Sequence, residues 1–274
     1  MSPAERNITI IKPKTGWQII DWKELKEYRD MFFFLVWRDI KARYAQSVLG
    51  VGWAIIQPVF SMIVFTIVFG NLAKIDSDGA PYAIFSFTAL VPWTFFAGSL
   101  TASSNSLNDM ISKIYFPRVV LPVATVLSKG VDFCISLIVL FGLLIWFQVV
   151  PTFWIVLLPV LIIILMVTAI GFGLWLSAMS VQYRDIRYGL NFGVQLLMYA
   201  APVVYPASLI PEQYRLYYAL NPMVGVIEGF RSSILGTNPM PWDLIIIGTV
   251  SSCIILLSGA LYFKRREKFF ADVI

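Results

Sequence analysis

Five long runs without a charged residue constrain this chain more than any other feature. The runs are 30 residues at 44–73, 30 at 79–108, 51 at 133–183, 24 at 188–211 and 20 at 244–263. A helix needs about 20 apolar residues to cross a hydrocarbon core of roughly 30 Å. The 51-residue run must therefore hold two crossings, with Gln148, Pro151 and Thr152 at the break between them. The sequence predicts an all-α integral membrane protein with six transmembrane helices.

Lysine and arginine residues fall almost entirely on alternate sides of these runs. Six crossings place both termini on one side, and 18 of the 21 basic residues lie on that side. The three on the other side are Lys74, Arg215 and Arg231. The positive-inside rule then predicts that both termini are cytoplasmic. This topology and nearby anionic lipid account for the pI of about 9.2, so the basic charge does not indicate nucleic acid.

Several kinds of chemistry have no sequence signal here. The chain has no histidine and no Cys-x-x-Cys pair, and its two cysteines, Cys134 and Cys253, both lie in predicted spans. It also has no GxxxxGK[ST] phosphate loop and no HExxH motif. We therefore expect no bound metal, no cofactor and no ATP hydrolysis by this chain. If it transports a substrate, either another polypeptide supplies the energy or the movement is passive.

The segment before the first crossing predicts an arm and an interface helix. Residues 1–20 predict an extended arm, and 21–45 predict an N-terminal amphipathic helix along the cytoplasmic membrane surface. Such a helix either packs under the bundle or contacts a partner, and the sequence leaves both open. The apolar positions that recur at helical spacing are Leu25, Tyr28, Phe32, Leu35 and Val36.

The connection before the last crossing is largely apolar, yet it is too short to span. Within 211–236, Asn221 followed by Pro222 is typical of a helix N-cap and first turn, and Gly236 is typical of a helix end. The pattern predicts two short extracytoplasmic helices that re-enter the membrane from outside. The alternative is a solvent-exposed loop.

Two pairs of opposite charges lie three residues apart, a spacing that lets side chains face each other on a helix. Lys129 and Asp132 lie at the cytoplasmic end of the third crossing, and Glu228 and Arg231 lie in the second short helix. Proton-coupled carriers usually need ionisable groups in the middle of a span. A structural ion pair is therefore the favoured interpretation of Lys129 and Asp132.

The cytoplasmic connection after the second crossing is a short amphipathic element. Ile111, Ile114 and Tyr115 fall on one helical face, and Pro117 disfavours helical geometry at the residue before it. A helix over about 108–117 is predicted, ending at the proline.

A family resemblance rests on WRDIKARYAQSVLGVGWAIIQPVF, residues 37–60. This segment resembles the permease subunits of ABC-2 type exporters of polysaccharides, namely O-antigen, capsule and teichoic acid. The similarity extends from about Trp17 to the C-terminus, and the arm ITIIKPKTGWQIIDWKELKEYRD looks most like O-antigen permeases. It continues through DGAPYAIFSFTALVPWTFFAGSL, SLNDMISKIYFPR, YRDIRYGLNFGVQ and YPASLIPEQYRLYYALNPMVGVIEGFRSSILG.

The resemblance implies an assembly and a substrate class. It implies a six-span permease domain over 46–263 and a basic cytoplasmic tail over 264–274, in the bacterial cytoplasmic (inner) membrane. Family members work as a homodimer of permeases with two copies of a cytoplasmic ABC ATPase, which binds ATP and Mg. The implied substrate is a glycan linked to a polyprenyl diphosphate in the membrane.

The resemblance also gives roles to particular positions. The helix at about 108–117 would be a coupling helix that docks the ATPase, and the short helices would narrow the exit. The expected docking residues are Asp109, Ile111, Lys113, Ile114, Tyr115, Phe116, Arg118, Arg184 and Asp185. Exit-gate candidates are Asn221, Pro222, Glu228 and Arg231.

Charge and position suggest further candidates. Arg38, Lys41 and Arg43 could meet a diphosphate at the cytoplasmic entrance, although the positive-inside topology alone also places them there. Phe60 and Tyr199 are channel candidates because they lie in the middle of predicted spans.

Two other functions stay open. One is an ABC-2 permease for a drug or a small lipid, against which the arm and the exit segment argue. The other is an integral membrane glycosyltransferase, which requires a catalytic carboxylate or histidine near one membrane face, and none is evident.

Overall fold

The computed structural model describes residues 28–45, 47–107, 117–268 and 270. These residues form nine α-helices and no strand. In chain order the helices are α1 Arg29–Tyr44, α2 Trp53–Phe65, α3 Tyr82–Asn105, α4 Val120–Trp146, α5 Leu158–Gln182, α6 Asp185–Tyr199, α7 Glu212–Ala219, α8 Pro222–Ile234 and α9 Trp242–Glu267.

Within the described residues, five helical segments are long and apolar enough to cross a membrane. They are Gly50–Leu72, Tyr82–Asn105, Val120–Trp146, Phe153–Gln182 and Trp242–Glu267. They correspond to predicted crossings one to four and six. The first contains α2 between a 3₁₀ turn at Gly50–Gly52 and a π-helical turn at Thr66–Leu72.

The long charge-free run divides where the sequence predicts. Helix α4 ends at Trp146, Gln148 adopts a positive φ of 55°, and helical structure resumes at Phe153. A non-glycine residue with positive φ interrupts a helix. The break around Gln148 is therefore confirmed.

The predicted fifth crossing differs from the other five. Helix α6 has only 15 residues, about 22 Å at ~1.5 Å per residue, and it is not among the segments long enough to cross. Beyond Tyr199 the chain continues in turns with Pro202 and Pro206, and residues 201–204 are buried without being helical. Proline lacks the N–H group that a helix needs, so the two prolines explain why α6 stops. A sixth full-length helix is not confirmed.

Helix α8 lies at the centre of the fold. All 13 of its residues are buried, and it packs against α3, α5 and α9. Asn221 caps it by accepting a hydrogen bond from the Met223 N–H at 3.1 Å, and Gly236 follows its end with φ of 68°. The predicted helix start at Asn221 and Pro222 and the predicted helix end at Gly236 are therefore present. Helix α7, in contrast, is mostly exposed.

Among the described helices, α5 and α9 make the most extensive contact. A Cβ on Gly259 would lie 2.5 Å from the carbonyl oxygen of Gly171, so only glycine allows this approach. Thr168, one turn before Gly171, and Ser252, about two turns before Gly259, are joined by a hydrogen bond of 2.8 Å. Small residues with hydroxyl contacts are typical of helix packing inside membranes.

Helix α1 packs against α4. Leu35 is fully buried there, and Tyr28, Phe32 and Val36 are partly buried beside it, as the predicted stripe requires. Phe33, Phe34 and Trp37 are exposed, so apolar residues extend beyond that stripe. The arm, the first part of the predicted interface helix and Leu25 lie outside the described residues.

Candidate functional site

A groove of about 680 Å³ lies between α2, α3 and α4. It is bounded by the first half of α2 and the middle parts of α3 and α4, and Asp132 on its α4 side contacts the C-terminal end of α1. The channel candidate Phe60 is on its wall and is 65% exposed. The aromatic lining residues are Trp53, Phe60, Phe95 and Phe133, and the polar ones include Gln57, Ser61, Thr94 and Ser136.

A charged cluster closes the α1 end of the groove. Arg43 Nη1 lies 2.6 Å from Asp132 Oδ2, and the Tyr44 hydroxyl donates a hydrogen bond to Asp132 Oδ1. Lys129 Nζ lies 3.6 Å from the same Oδ2 atom. The predicted Lys129–Asp132 pair is therefore present, but Arg43 is the nearer partner. Sequence reasoning missed this partner because 89 positions separate it from the carboxylate.

Arg43 also binds the backbone of α4. Its guanidinium donates to the hydroxyl of Ser128 at 3.1 Å and to the Ser128 carbonyl at 3.3 Å. Burial, together with the hydrogen bond to Asp132, raises the pKa of Tyr44 to about 12, so this phenol stays protonated and donates at neutral pH. The arrangement joins the end of α1 to α4 and commits Arg43 to an internal contact.

The other two entrance candidates are placed differently. Arg38 Nη2 lies 2.7 Å from Asp39 Oδ1, in an ion pair within α1. Lys41 is exposed on the same helix. The structure therefore does not bring Arg38, Lys41 and Arg43 together as one cluster of cations.

Two of the exit-gate candidates, Glu228 and Arg231, form a buried ion pair, which we call the clamp. Arg231 Nη1 lies 2.8 Å from Glu228 Oε1, and the two side chains are 3% and 7% exposed. The Arg231 guanidinium stacks on the ring of Phe85 in α3, 3.6 Å from its centroid. Charges this deeply buried are stable only when they are paired and hydrogen-bonded.

The clamp holds the non-helical segment that follows α6. Arg231 donates hydrogen bonds to the carbonyls of Val203, at 3.0 Å, and Tyr205, at 3.2 Å. Glu228 accepts the N–H of Ala207 at 3.2 Å. Buried irregular backbone needs such partners because it lacks the hydrogen bonds of a helix. Pro202 and Pro206 are the sequence signal for this segment, because proline disfavours a continuing helix.

The channel candidate Tyr199 lies away from the groove. It ends α6, is half-exposed, and its carbonyl accepts a hydrogen bond from the Tyr205 hydroxyl at 2.9 Å. Tyr218 in α7 donates to that Tyr205 hydroxyl at 3.1 Å, and burial raises the pKa of Tyr218. Tyr199 and Phe60 are therefore not brought together within one chain.

Three of the nine predicted ATPase-docking residues lie in the described part of the chain. Asp109, Ile111, Lys113, Ile114, Tyr115 and Phe116 lie outside the described residues. Arg118 donates from Nη1 to the carbonyl of Glu267 at 3.1 Å, where it stabilises the C-terminal end of α9. Arg184 and Asp185 are exposed at the turn between α5 and α6.

Known proteins match nearly the whole chain. The family model described as "ABC-2 type transporter" matches residues 31–235. The "O-antigen export system permease protein RfbA" of Myxococcus xanthus is 29% identical over 253 residues, which cover 90% of this chain and 96% of that protein. A Klebsiella pneumoniae protein of the same name is 25% identical, over 89% and 95%. The "Polysialic acid transport protein KpsM" of Escherichia coli is 23% identical, over 84% and 91%.

Proposed function

This chain belongs to the ABC-2 type transporter family, and we propose that it is the permease subunit that exports a lipid-linked, O-antigen-like polysaccharide across the bacterial cytoplasmic membrane. The observation that carries the proposal is similarity over nearly the full length to two kinds of polysaccharide permease. The groove supports it, since aromatic walls beside polar and charged groups suit a substrate that joins a lipid chain to a polar head.

The energy for export comes from a separate cytoplasmic ATPase in this proposal. The sequence has no phosphate-binding loop, so ATP and Mg are bound by the partner, present in two copies. The coupling helix at about 108–117 docks this partner through the face of Ile114. Ile114→Asp is then expected to abolish copurification of the ATPase, whereas the exposed-lysine control Lys264→Gln retains it. Unchanged assembly by Ile114→Asp would remove this docking role.

The chain crosses the membrane six times in this proposal, with both termini cytoplasmic. Helix α6 and the buried segment after it together make the fifth crossing, and the clamp satisfies the backbone where the helix has ended. Helices α7 and α8 then lie at the extracytoplasmic side.

Cysteine labelling tests this topology. Cys134 and Cys253 are exposed on the helix surfaces, so they must first be replaced by serine. An impermeant thiol reagent is then expected to label Gln213→Cys in intact cells and to leave Lys268→Cys unlabelled. The reverse pattern would contradict the orientation.

Two copies of the chain enclose the path in this proposal. One chain presents a groove that is open on one side and too few helices to surround a polymer, and a closed two-fold dimer removes both problems. Disulfide crosslinking between copies, with single cysteines placed along the exposed face of α6 at Phe192 or Leu196, tests the assembly. Absence of a crosslinked dimer from both positions would contradict it.

Disruption of the gene in its host tests the substrate. Export of a lipid-linked glycan predicts that the glycan accumulates on the cytoplasmic face and disappears from the cell surface. A drug or small-lipid permease predicts normal surface glycan, and a glycosyltransferase predicts that the glycan is never completed. Either of the last two results would overturn the proposed function.

A further inference from the structure

The groove between α2, α3 and α4 is amphipathic along its length. Trp53, Phe60, Phe95 and Phe133 give apolar faces to its walls, and Lys129 and Asp132 are the ionisable side chains among the described residues that line it. Both lie in α4 at the end joined to α1. A ligand that matches this groove has an apolar chain and one charged head.

The charged end carries more positive than negative charge. Each oxygen of Asp132 already accepts a hydrogen bond, Oδ2 from Arg43 at 2.6 Å and Oδ1 from the hydroxyl of Tyr44. Lys129 Nζ is 3.6 Å from the carboxylate, beyond hydrogen-bond distance, although an ammonium can donate three hydrogen bonds. Two cations therefore face one carboxylate, and the excess charge is that of Lys129.

Because Lys129 is largely buried, its uncompensated positive charge costs free energy unless an anion binds beside it. Lys129 lies nine residues into α4, about 14 Å from its start at ~1.5 Å per residue, and its side chain is only 23% exposed. A charge at such depth is expensive without a partner and marks a functional site by default. Lys129 shares its carboxylate partner, Asp132, with Arg43, and an anion in the groove would balance the second cation.

We propose that Lys129 binds the diphosphate that joins the exported glycan to its lipid, with the prenyl chain lying against the aromatic wall beside Phe60. This inference rests on the proposed function and names the group that recognises the head of the substrate. Arg43 has a different role, since it neutralises Asp132 and holds α1 in place. A diphosphate carries more negative charge than the phosphodiester of a phospholipid, so Lys129 attracts it more strongly.

Binding of radiolabelled farnesyl diphosphate to the purified full-length chain tests the site. Lys129→Gln removes one charge-assisted contact and is expected to raise the Kd about tenfold or more. Lys129→Arg keeps the charge, so its Kd should stay within about threefold of the native Kd. That change is smaller than the effect of losing one charge-assisted contact. Lys264→Gln, an exposed lysine paired with Glu267, is the matched control and should leave the Kd unchanged.

A second variant keeps the test valid if Lys129→Gln does not fold. Phe60→Ala shortens the apolar wall and should weaken farnesyl diphosphate without weakening inorganic diphosphate. Native affinity in Lys129→Gln, or equal loss of both ligands in Phe60→Ala, would overturn the site. Dioleoyl phosphatidylglycerol and unlabelled farnesyl diphosphate are then compared as competitors for the label. If the phospholipid displaces the label equally well, the site is overturned, because the groove would then be an ordinary phospholipid site.

Complementation of the disrupted host separates this inference from the function on which it rests. A native chain that restores surface glycan but binds no farnesyl diphosphate overturns the site and leaves the export function intact. A native chain that binds farnesyl diphosphate but restores no glycan overturns the export function and leaves the site. Restoration by Lys129→Arg together with failure of a stably inserted Lys129→Gln is the result that we expect.

Discussion

Removal of the Arg231 guanidinium tests how the segment after α6 is held. Arg231→Met keeps an unbranched apolar stem and deletes every donor. The native guanidinium makes hydrogen bonds to Glu228 Oε1 and to the carbonyls of Val203 and Tyr205. Its side chain is almost completely buried, so water cannot replace these contacts without opening the fold.

The expected loss of stability is large. Removing one member of a buried ion pair costs about 3–5 kcal/mol, because the other charge stays buried without a partner. For a chain of this size, a Tm shift of about 2–4 °C per kcal/mol gives a fall in Tm on the order of 10 °C. Glu228→Gln should cost less, since the amide oxygen can still accept from Arg231 and from the Ala207 N–H.

The assay is thermal unfolding of the purified chain in detergent, followed by the fluorescence of its nine tryptophans. The matched control is Arg215→Met, because Arg215 lies 2.9 Å from Asp243 while both side chains are about half exposed. An exposed pair of this kind is worth about 0–1 kcal/mol. If Arg231→Met and Arg215→Met unfold within two or three degrees of each other, roughly the shift expected for 1 kcal/mol, the clamp has no such role.

A charge swap distinguishes the clamp from a simple ion pair. Glu228→Arg combined with Arg231→Glu preserves the attraction between the two positions. It also turns a carboxylate toward the carbonyls of Val203 and Tyr205, which need donors. We expect the swap to remain destabilised, and a return to the native Tm would show that only the mutual attraction matters.

Three further substitutions test the packing and the helix ends by the same thermal assay. Gly259→Leu should destabilise by about 1–3 kcal/mol or more, because its Cβ would meet the Gly171 carbonyl, whereas Gly142→Ala should be tolerated since nothing lies within 4 Å of the added Cβ. Asn221→Ala should lower the free energy of unfolding by about 1 kcal/mol, because it removes the cap of α8. Asn221→Ser should retain most of that stability, because serine can also cap a helix. Gly236→Ala should cost about 1–2 kcal/mol, because φ of 68° disfavours any residue with a Cβ. Native Tm values in Gly259→Leu, Asn221→Ala or Gly236→Ala would contradict these assignments.

The elements that the sequence predicted are those with local causes. Four of the five charge-free runs contribute to the five long apolar helices, because a helix satisfies its own backbone hydrogen bonds. The cap at Asn221, the first-turn Pro222 and the positive φ at Gly236 depend only on neighbouring residues. Such features can be read from a few positions of sequence.

The features that the sequence could not give depend on distant residues. Arg43 meets Asp132 across 89 positions, and Arg231 meets Val203 across 28. The shortness of α6 had a local signal in Pro202 and Pro206, but a count of uncharged residues ignores whether the backbone can stay helical. Charge patterning therefore predicted where the chain is apolar, and not how the buried backbone between α6 and α7 is satisfied.

ATP-driven movement of a lipid-linked glycan by this chain and its ATPase is tested most directly in sealed proteoliposomes. The copurified complex is reconstituted with the polyprenyl-diphosphate-linked glycan of its host, and the glycan that becomes accessible on the side opposite the ATPase is measured over time. We predict that accessibility rises only when ATP and Mg are present on the ATPase side, and that the permease alone moves nothing. Movement that is the same without ATP, or ATP hydrolysis that moves no glycan, would contradict the proposed function.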